Sequence, residues 1–190
     1  MQERIKVIYI GPTGRSGTTL LDLLLNNHKE IQSLGELMFL DKWLSQDLLC
    51  SCGKKISSCS FWNKIFENLP EKTNFRLDYN DPPNKISKIL NNLTLIDIIP
   101  PNKIKKIQNN YYRLLKTVKD LTKCKFIVDS SKLFSRLKIY IKSDLFEIYF
   151  IHLVRDGMAV THSCSIPRIK PSYGKNVFTP RVNPLRTAFR

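Results

Sequence analysis

One segment constrains this chain of 190 residues more than any other. The apolar, β-branched run Ile5-Lys6-Val7-Ile8-Tyr9-Ile10 stops at Gly11-Pro12. A glycine-spaced stretch then continues to Gly17, and Thr18-Thr19-Leu20-Leu21-Asp22-Leu23-Leu24-Leu25 follows. The first run predicts a buried strand of the kind found in parallel sheets, and the leucine-rich stretch closed by Asn26-Asn27 predicts a helix. A turn between such a strand and a helix N-terminus is suited to an anion, because its backbone N–H groups converge and the helix dipole adds positive potential. Gly14, Arg15, Ser16, Gly17, Thr18 and Thr19 form this turn and supply more donors than chain reversal alone requires. A tight turn with no ligand is the competing reading. The sequence departs from the G-x-x-x-x-G-K-[ST] loop of nucleotide triphosphatases: no lysine precedes Thr18. That absence argues against a γ-phosphate, whereas the planar fork of Arg15 suits a phosphate or sulfate group.

The rest of the chain repeats the alternation. Lys125-Phe126-Ile127-Val128-Asp129 predicts a second strand, and Glu147 to Val154 predicts a third, buried by its near-continuous apolar content. A short apolar stretch lies at Ile31–Leu34. Helices are expected at 37–49, 61–69, 85–92, 103–121, 132–142 and about 157–165, with 50–60 loop-like and 70–84 an irregular, proline-containing connection. In 103–121 the positions Ile104, Ile107, Tyr111, Leu114, Leu115 and Val118 share one helical face. Strands separated by helices imply parallel pairing with right-handed crossovers. The expected fold is α/β: a P-loop-like three-layer architecture with a central parallel β-sheet flanked by helices. We read 1–190 as a single domain with a basic, proline-containing tail at 166–190.

Charge is the feature most open to misreading. Lys+Arg 31 against Asp+Glu 16 gives a formal net charge of +15, which suggests a phosphate-rich partner. Most lysines, however, are scattered through 54–142 among acids and apolar residues, as on solvated helices, and Lys, Asn and Ile are all abundant together. No zinc-finger spacing, aromatic–basic RNA signature or basic region with heptads accompanies the charge, so nucleic acid is not the expected partner. No apolar run reaches the roughly 20 residues of a membrane helix. No leader is read ahead of the first strand, so the expected location is cytoplasmic.

A second group of residues follows the third strand: Leu153-Val154-Arg155-Asp156-Gly157-Met158-Ala159-Val160-Thr161-His162-Ser163. Ligands of open α/β sheets bind at strand C-termini, which suits Arg155 to a second phosphate, with Ser163 about two helical turns further on. Alone, Arg155-Asp156 reads equally well as a local salt bridge. Together, Gly14-Arg15-Ser16-Gly17-Thr18-Thr19-Leu20 and Leu153-Val154-Arg155-Asp156-Gly157…Ser163 resemble the two cofactor motifs of sulfotransferases that use 3′-phosphoadenylyl sulfate (PAPS). The first resembles that family's 5′-phosphosulfate loop. The second resembles its 3′-phosphate motif, in which an Arg and a Ser eight residues later hold the 3′-phosphate, a spacing Arg155 and Ser163 reproduce. Its wording is close to that of protein-tyrosine sulfotransferases and bacterial relatives. Val128-Asp129-Ser130-Ser131-Lys132 resembles a further segment of bacterial and carbohydrate-type members. The resemblance covers roughly 5–165, apart from 60–120.

The resemblance implies sulfuryl transfer from PAPS to a hydroxyl or amine acceptor, with adenosine 3′,5′-bisphosphate (PAP) as product. Transfer of this kind must deprotonate the acceptor, stabilise the equatorial oxygens and neutralise a phosphate leaving group. That leaving group is already a stabilised anion, so no metal is required. Glu36 follows Arg15 by 21 residues, matching the position of the catalytic Glu in tyrosylprotein sulfotransferases, and is the implied base. An acid favoured by a helix dipole is its alternative. Asp129 is the second candidate base or else a cap for the next helix, and Lys132 is the candidate for stabilising the departing anion. Ser16, Thr18 and Thr19 are expected to bond the 5′-phosphate and sulfate oxygens. His152 reads as a core residue, and His28 and His162 lack motif context. Cys50, Cys52 and Cys59 supply three of the four ligands a structural zinc normally has, so reduced thiols in a structural loop are expected. Protein tyrosine, carbohydrate and lipid all stay open as acceptor. Members of the family usually continue well past the 3′-phosphate motif, so the chain is expected to lack a C-terminal part. A nucleotide kinase with a degenerate loop and a non-catalytic nucleotide- or nucleic-acid-binding remnant are the alternative functions.

Overall fold

A computed structural model describes residues 3–11, 14–70 and 100–167. Four strands form one sheet in the order β2-β3-β1-β4, with β1 at Ile5–Gly11, β2 at Ile31–Ser33, β3 at Phe126–Asp129 and β4 at Phe146–His152. All the pairings are parallel: Lys6 stands opposite Phe126, Ile5 opposite Phe146 and Ile31 opposite Phe126. The helices are α1 (Thr18–Asn26), α2 (Leu40–Ser45), α3 (Ser60–Glu67), α4 (Pro101–Thr122), α5 (Phe134–Ile141) and α6 (Gly157–Ser165). This is the expected α/β arrangement, a parallel sheet flanked by helices.

β1 explains the layering. Ile5, Val7 and Tyr9 join the larger core cluster, while Ile8 and Ile10 join a smaller one on the opposite face. The strand period of two thus feeds two cores. The larger core receives Trp62 and Ile65 of α3, Ile107, Tyr111, Leu114, Leu115 and Val118 of α4, and Leu137, Ile139 and Tyr140 of α5. The smaller receives Leu21 and Leu25 of α1. Each large side chain fully buried in this way contributes about 1.5–3 kcal/mol. Pro101 opens α4 where a missing N–H costs nothing, and Lys123 closes it with φ 58°.

Three expectations are corrected. The segment expected as a fully buried third strand is β4, which among the described residues lies at the sheet edge and leaves Tyr149 and Phe150 exposed. An apolar run reports β tendency but not position in the sheet, and an edge strand has a partner on one side only. His152, expected in the core, ends that edge strand exposed, its ring stacked on Phe150. The helix expected at 37–49 is shorter: a 3₁₀ turn at Leu37–Phe39 leads into α2, and the chain then turns through Asp47 at φ 46°. The helix expected at 85–92, and the tail beyond Pro167, lie outside the described residues. No helix among the described residues is long and apolar enough to cross a membrane.

Because the strands are parallel, Gly11, Ser33, Asp129 and His152 end at the same edge of the sheet. Each candidate segment named from sequence leaves one of these ends.

Candidate functional site

The loop after β1 carries the first group. Arg15 adopts φ 69° and Gly17 φ 96°, so left-handed backbone occurs twice within three residues, a geometry that turns successive N–H groups towards a common point. Glycine suits position 17, which is also the N-cap of α1 and lacks a side-chain cap. Gly14 is different: a Cβ there would meet nothing within 4 Å, so packing does not require glycine at that position. Thr18 is buried and Thr19 exposed. Ser16 is buried, and its Oγ is the one buried side-chain oxygen among the described residues without a hydrogen-bond partner. A buried hydroxyl normally finds a partner, and leaving one unmade costs about 1–3 kcal/mol.

The segment after β4 is tied to this loop. Leu153 N–H donates to the Gly11 carbonyl at 3.4 Å, and Arg155 Nη1 donates to the Arg15 carbonyl at 3.0 Å. The local salt bridge considered for Arg155 and Asp156 is not formed. Asp156 instead caps α6, its Oδ1 accepting the Ala159 N–H at 3.0 Å. Arg155 is exposed beside the loop, and Ser163 is buried on α6. The Arg155 guanidinium is therefore fastened to the loop.

The segments after β2 and β3 form the second group. Leu34 N–H donates to the Val128 carbonyl at 3.1 Å, Ser130 N–H to the Gly35 carbonyl at 2.9 Å, and Met38 N–H to Ser131 Oγ at 3.1 Å. This stitching brings Lys132, at φ 63°, against Glu36, with Nζ 2.5 Å from Oε1. Two residues 96 positions apart in sequence thus meet at one point. Glu36 is the N-cap of the 3₁₀ turn that leads into α2, makes no side-chain cap bond, and turns its carboxylate to Lys132.

Asp129 has another occupation. It is fully buried: Oδ2 accepts from Arg136 Nε at 2.6 Å and from the Tyr140 hydroxyl at 2.8 Å, while Oδ1 accepts Ser131 N–H at 3.0 Å. The Ser131 hydroxyl donates to it as well. A carboxylate so engaged orients its neighbours, Ser131 among them. It does not cap α5, whose N-cap is Leu133.

Two residues passed over in the sequence belong to this edge. Asp22 is buried one turn along α1 from Thr18, and the Ser33 hydroxyl donates to its Oδ1 at 2.7 Å. Burial holds its carboxyl above the usual range, the Ser33 bond and the Lys132 charge acting in the opposite sense. Asp22 therefore sits within electrostatic reach of both Glu36 and Lys132. The signal in the sequence was one acid inside an otherwise leucine-rich helix. Arg136 is the other: buried in α5, it spans Asp129, Tyr111 and Tyr140.

The arrangement offers an N–H-lined loop with an unsatisfied hydroxyl, two guanidinium-bearing residues beside it, and a carboxylate–ammonium pair on the neighbouring segments. No protein-family model, curated protein or solved structure matches this chain.

Proposed function

We propose that this protein transfers a sulfuryl group from PAPS to a hydroxyl or amine acceptor. The observation that carries the reading is the buried, unpartnered Ser16 Oγ inside a loop whose backbone is shaped for an anion, with Arg155 fastened beside it. These residues fit a nucleotide bearing phosphate at two positions. Ser16, Thr18, Thr19 and the loop N–H groups, from Gly14 to Gly17, hold the 5′ end, and Arg15 adds its charge there. Arg155 and Ser163 hold the 3′-phosphate. The bound nucleotide supplies the sulfuryl group and a phosphate leaving group.

Glu36 accepts the proton of the acceptor hydroxyl, and Lys132 places an ammonium where negative charge develops. Their ion pair keeps the two side chains in register before the acceptor arrives, and the acceptor hydroxyl exchanges for one of its contacts. Tyr9 and Asp129 support the arrangement from below. Tyr9 Oη donates to the Leu133 carbonyl at 2.7 Å and accepts Leu133 N–H at 2.9 Å, which pins the backbone next to Lys132.

The test is thermal unfolding with PAP, with no divalent cation present. A ligand that binds only the folded state at 100 times its dissociation constant stabilises by about 2.7 kcal/mol, and the expected result is a shift of several degrees. Arg155→Ala should lose most of that shift while unfolding at the wild-type temperature without ligand, because Arg155 is exposed. The absence of a shift in the wild type, or a shift produced only by ATP with Mg²⁺, would sink the proposal and favour a kinase.

A further inference from the structure

Away from this edge, the segment between α2 and α3 gathers three thiols. Cys50 and Cys52 lie on a tight reversal in which Cys50 N–H donates to the Lys54 carbonyl at 2.8 Å, and Gly53 N–H, on a residue with φ 81°, donates to the Cys50 carbonyl at 2.9 Å. Leu49 and Lys55 close it with an antiparallel bridge. Cys59 is the N-cap of α3. The fold thus brings one end of a helix against the tip of a hairpin, sulfur to sulfur. Cys59 Sγ is 3.6 Å from Cys50 Sγ and 3.7 Å from Cys52 Sγ, and all three sulfurs lie within 4.8 Å of one another.

We propose that Cys50, Cys52 and Cys59 form a binding site for one Zn²⁺ ion, with water at the fourth position. Zinc–thiolate bonds of about 2.3 Å in a tetrahedron set neighbouring sulfurs about 3.8 Å apart. The two shorter separations here match that edge. A disulfide would use two of the sulfurs and strand the third, whereas one soft cation uses all three. Cubane and two-iron clusters take four cysteines, which this group does not supply. Cys52 is exposed, so water can reach the cluster to complete the tetrahedron. Binding replaces S–H bonds with S–Zn bonds and releases one proton for each thiol protonated beforehand, with no change of oxidation state. The ion would clamp the hairpin to α3, whose Trp62 and Ile65 enter the larger core. This proposal does not depend on the sulfuryl-transfer reading.

The experiment uses the full chain, reduced and stripped with a chelator, then titrated with Zn²⁺ in competition with a chromophoric chelator. Parallel titration with Co²⁺ reads thiolate ligation from its charge-transfer absorption. One equivalent should bind, tightening as pH rises, and should protect three of the five thiols from alkylation. Cys52→Ser, chosen because Cys52 is exposed, should keep the far-ultraviolet circular dichroism and weaken Zn²⁺ binding at least about tenfold, the lower end of what disturbing a metal's surroundings costs. Cys124→Ala, at a buried position outside the cluster, should bind as the wild type does. The site is overturned by less than a tenth of an equivalent of Zn²⁺ on the reduced wild type, by unaltered binding in folded Cys52→Ser, or by uptake of Cu(I) but not Zn²⁺.

Discussion

Glu36→Gln should lower sulfuryl transfer by roughly 10²–10⁴-fold, the usual contribution of a positioned general base. The substitution keeps the side chain's length and one oxygen, so Lys132 retains an acceptor, but it removes the group proposed to take the acceptor's proton. PAP affinity should stay within about twofold of wild type, because Glu36 lies on the segment after β2 and the proposed phosphate donors lie after β1 and β4. The measurement is transfer of labelled sulfate from PAPS to whichever acceptor the wild type turns over in a panel of phenolic, sugar and lipid hydroxyls. A purely structural role for the Glu36–Lys132 pair gives a different pattern: a lower unfolding temperature with turnover largely kept. Full activity in a folded variant refutes the assignment of the base.

Arg136→Met should be the most destabilising single change near the site. Arg136 and Asp129 are buried, with the ion pair at 2.6 Å and the Tyr111 and Tyr140 hydroxyls completing the network. The Arg136 guanidinium also lies over the Tyr111 ring at 4.2 Å from its centroid. Removing one partner leaves a buried charge uncompensated, which costs about 3–5 kcal/mol. For a chain of this size that lowers the unfolding temperature by roughly 6–20 °C, read by circular dichroism. Adding Asp129→Asn to Arg136→Met removes the stranded charge, so the double variant should recover a measurable part of the loss. A double variant that simply sums the two single losses would contradict the account of a coupled pair. Activity should fall with either single change, since Asp129 holds Ser131, and Ser131 accepts from Met38 two residues from Glu36.

Much of this was legible in local patterns. The strand–loop–helix at the start appears as read, because an apolar run, glycine punctuation and a leucine-rich stretch agree with one another. The single-faced periodicity of 103–121 appears as α4, and Gly157–Ser165 matches the helix expected at about 157–165. What the chain does not encode locally is depth. Phe146–His152 reads as a buried strand because its side chains are apolar, yet its place at the edge follows from which strands β1 accepts as neighbours. Arg136 carries no local sign of its burial, since burial of a guanidinium depends on Asp129, seven residues earlier, and on Tyr111 from another helix. Glu36 and Lys132 were each named from sequence, but their contact depends on the parallel pairing of β2 with β3. Asp22 escaped notice because a lone acid in a helix is usually solvated, and only the packing of α1 on the sheet shows otherwise.

The proposed function requires that the edge formed by the β1 loop and Arg155 recognise a nucleotide by phosphates at both its 5′ and 3′ positions. Calorimetric titration of the wild-type protein with PAP and with adenosine 5′-monophosphate, both without metal, tests it most directly. A charge-assisted contact to the second phosphate contributes about 1.5–3 kcal/mol. The bisphosphate should therefore bind at least about tenfold more tightly than the monophosphate. Equal affinities for the two nucleotides, or no heat with either, would contradict it.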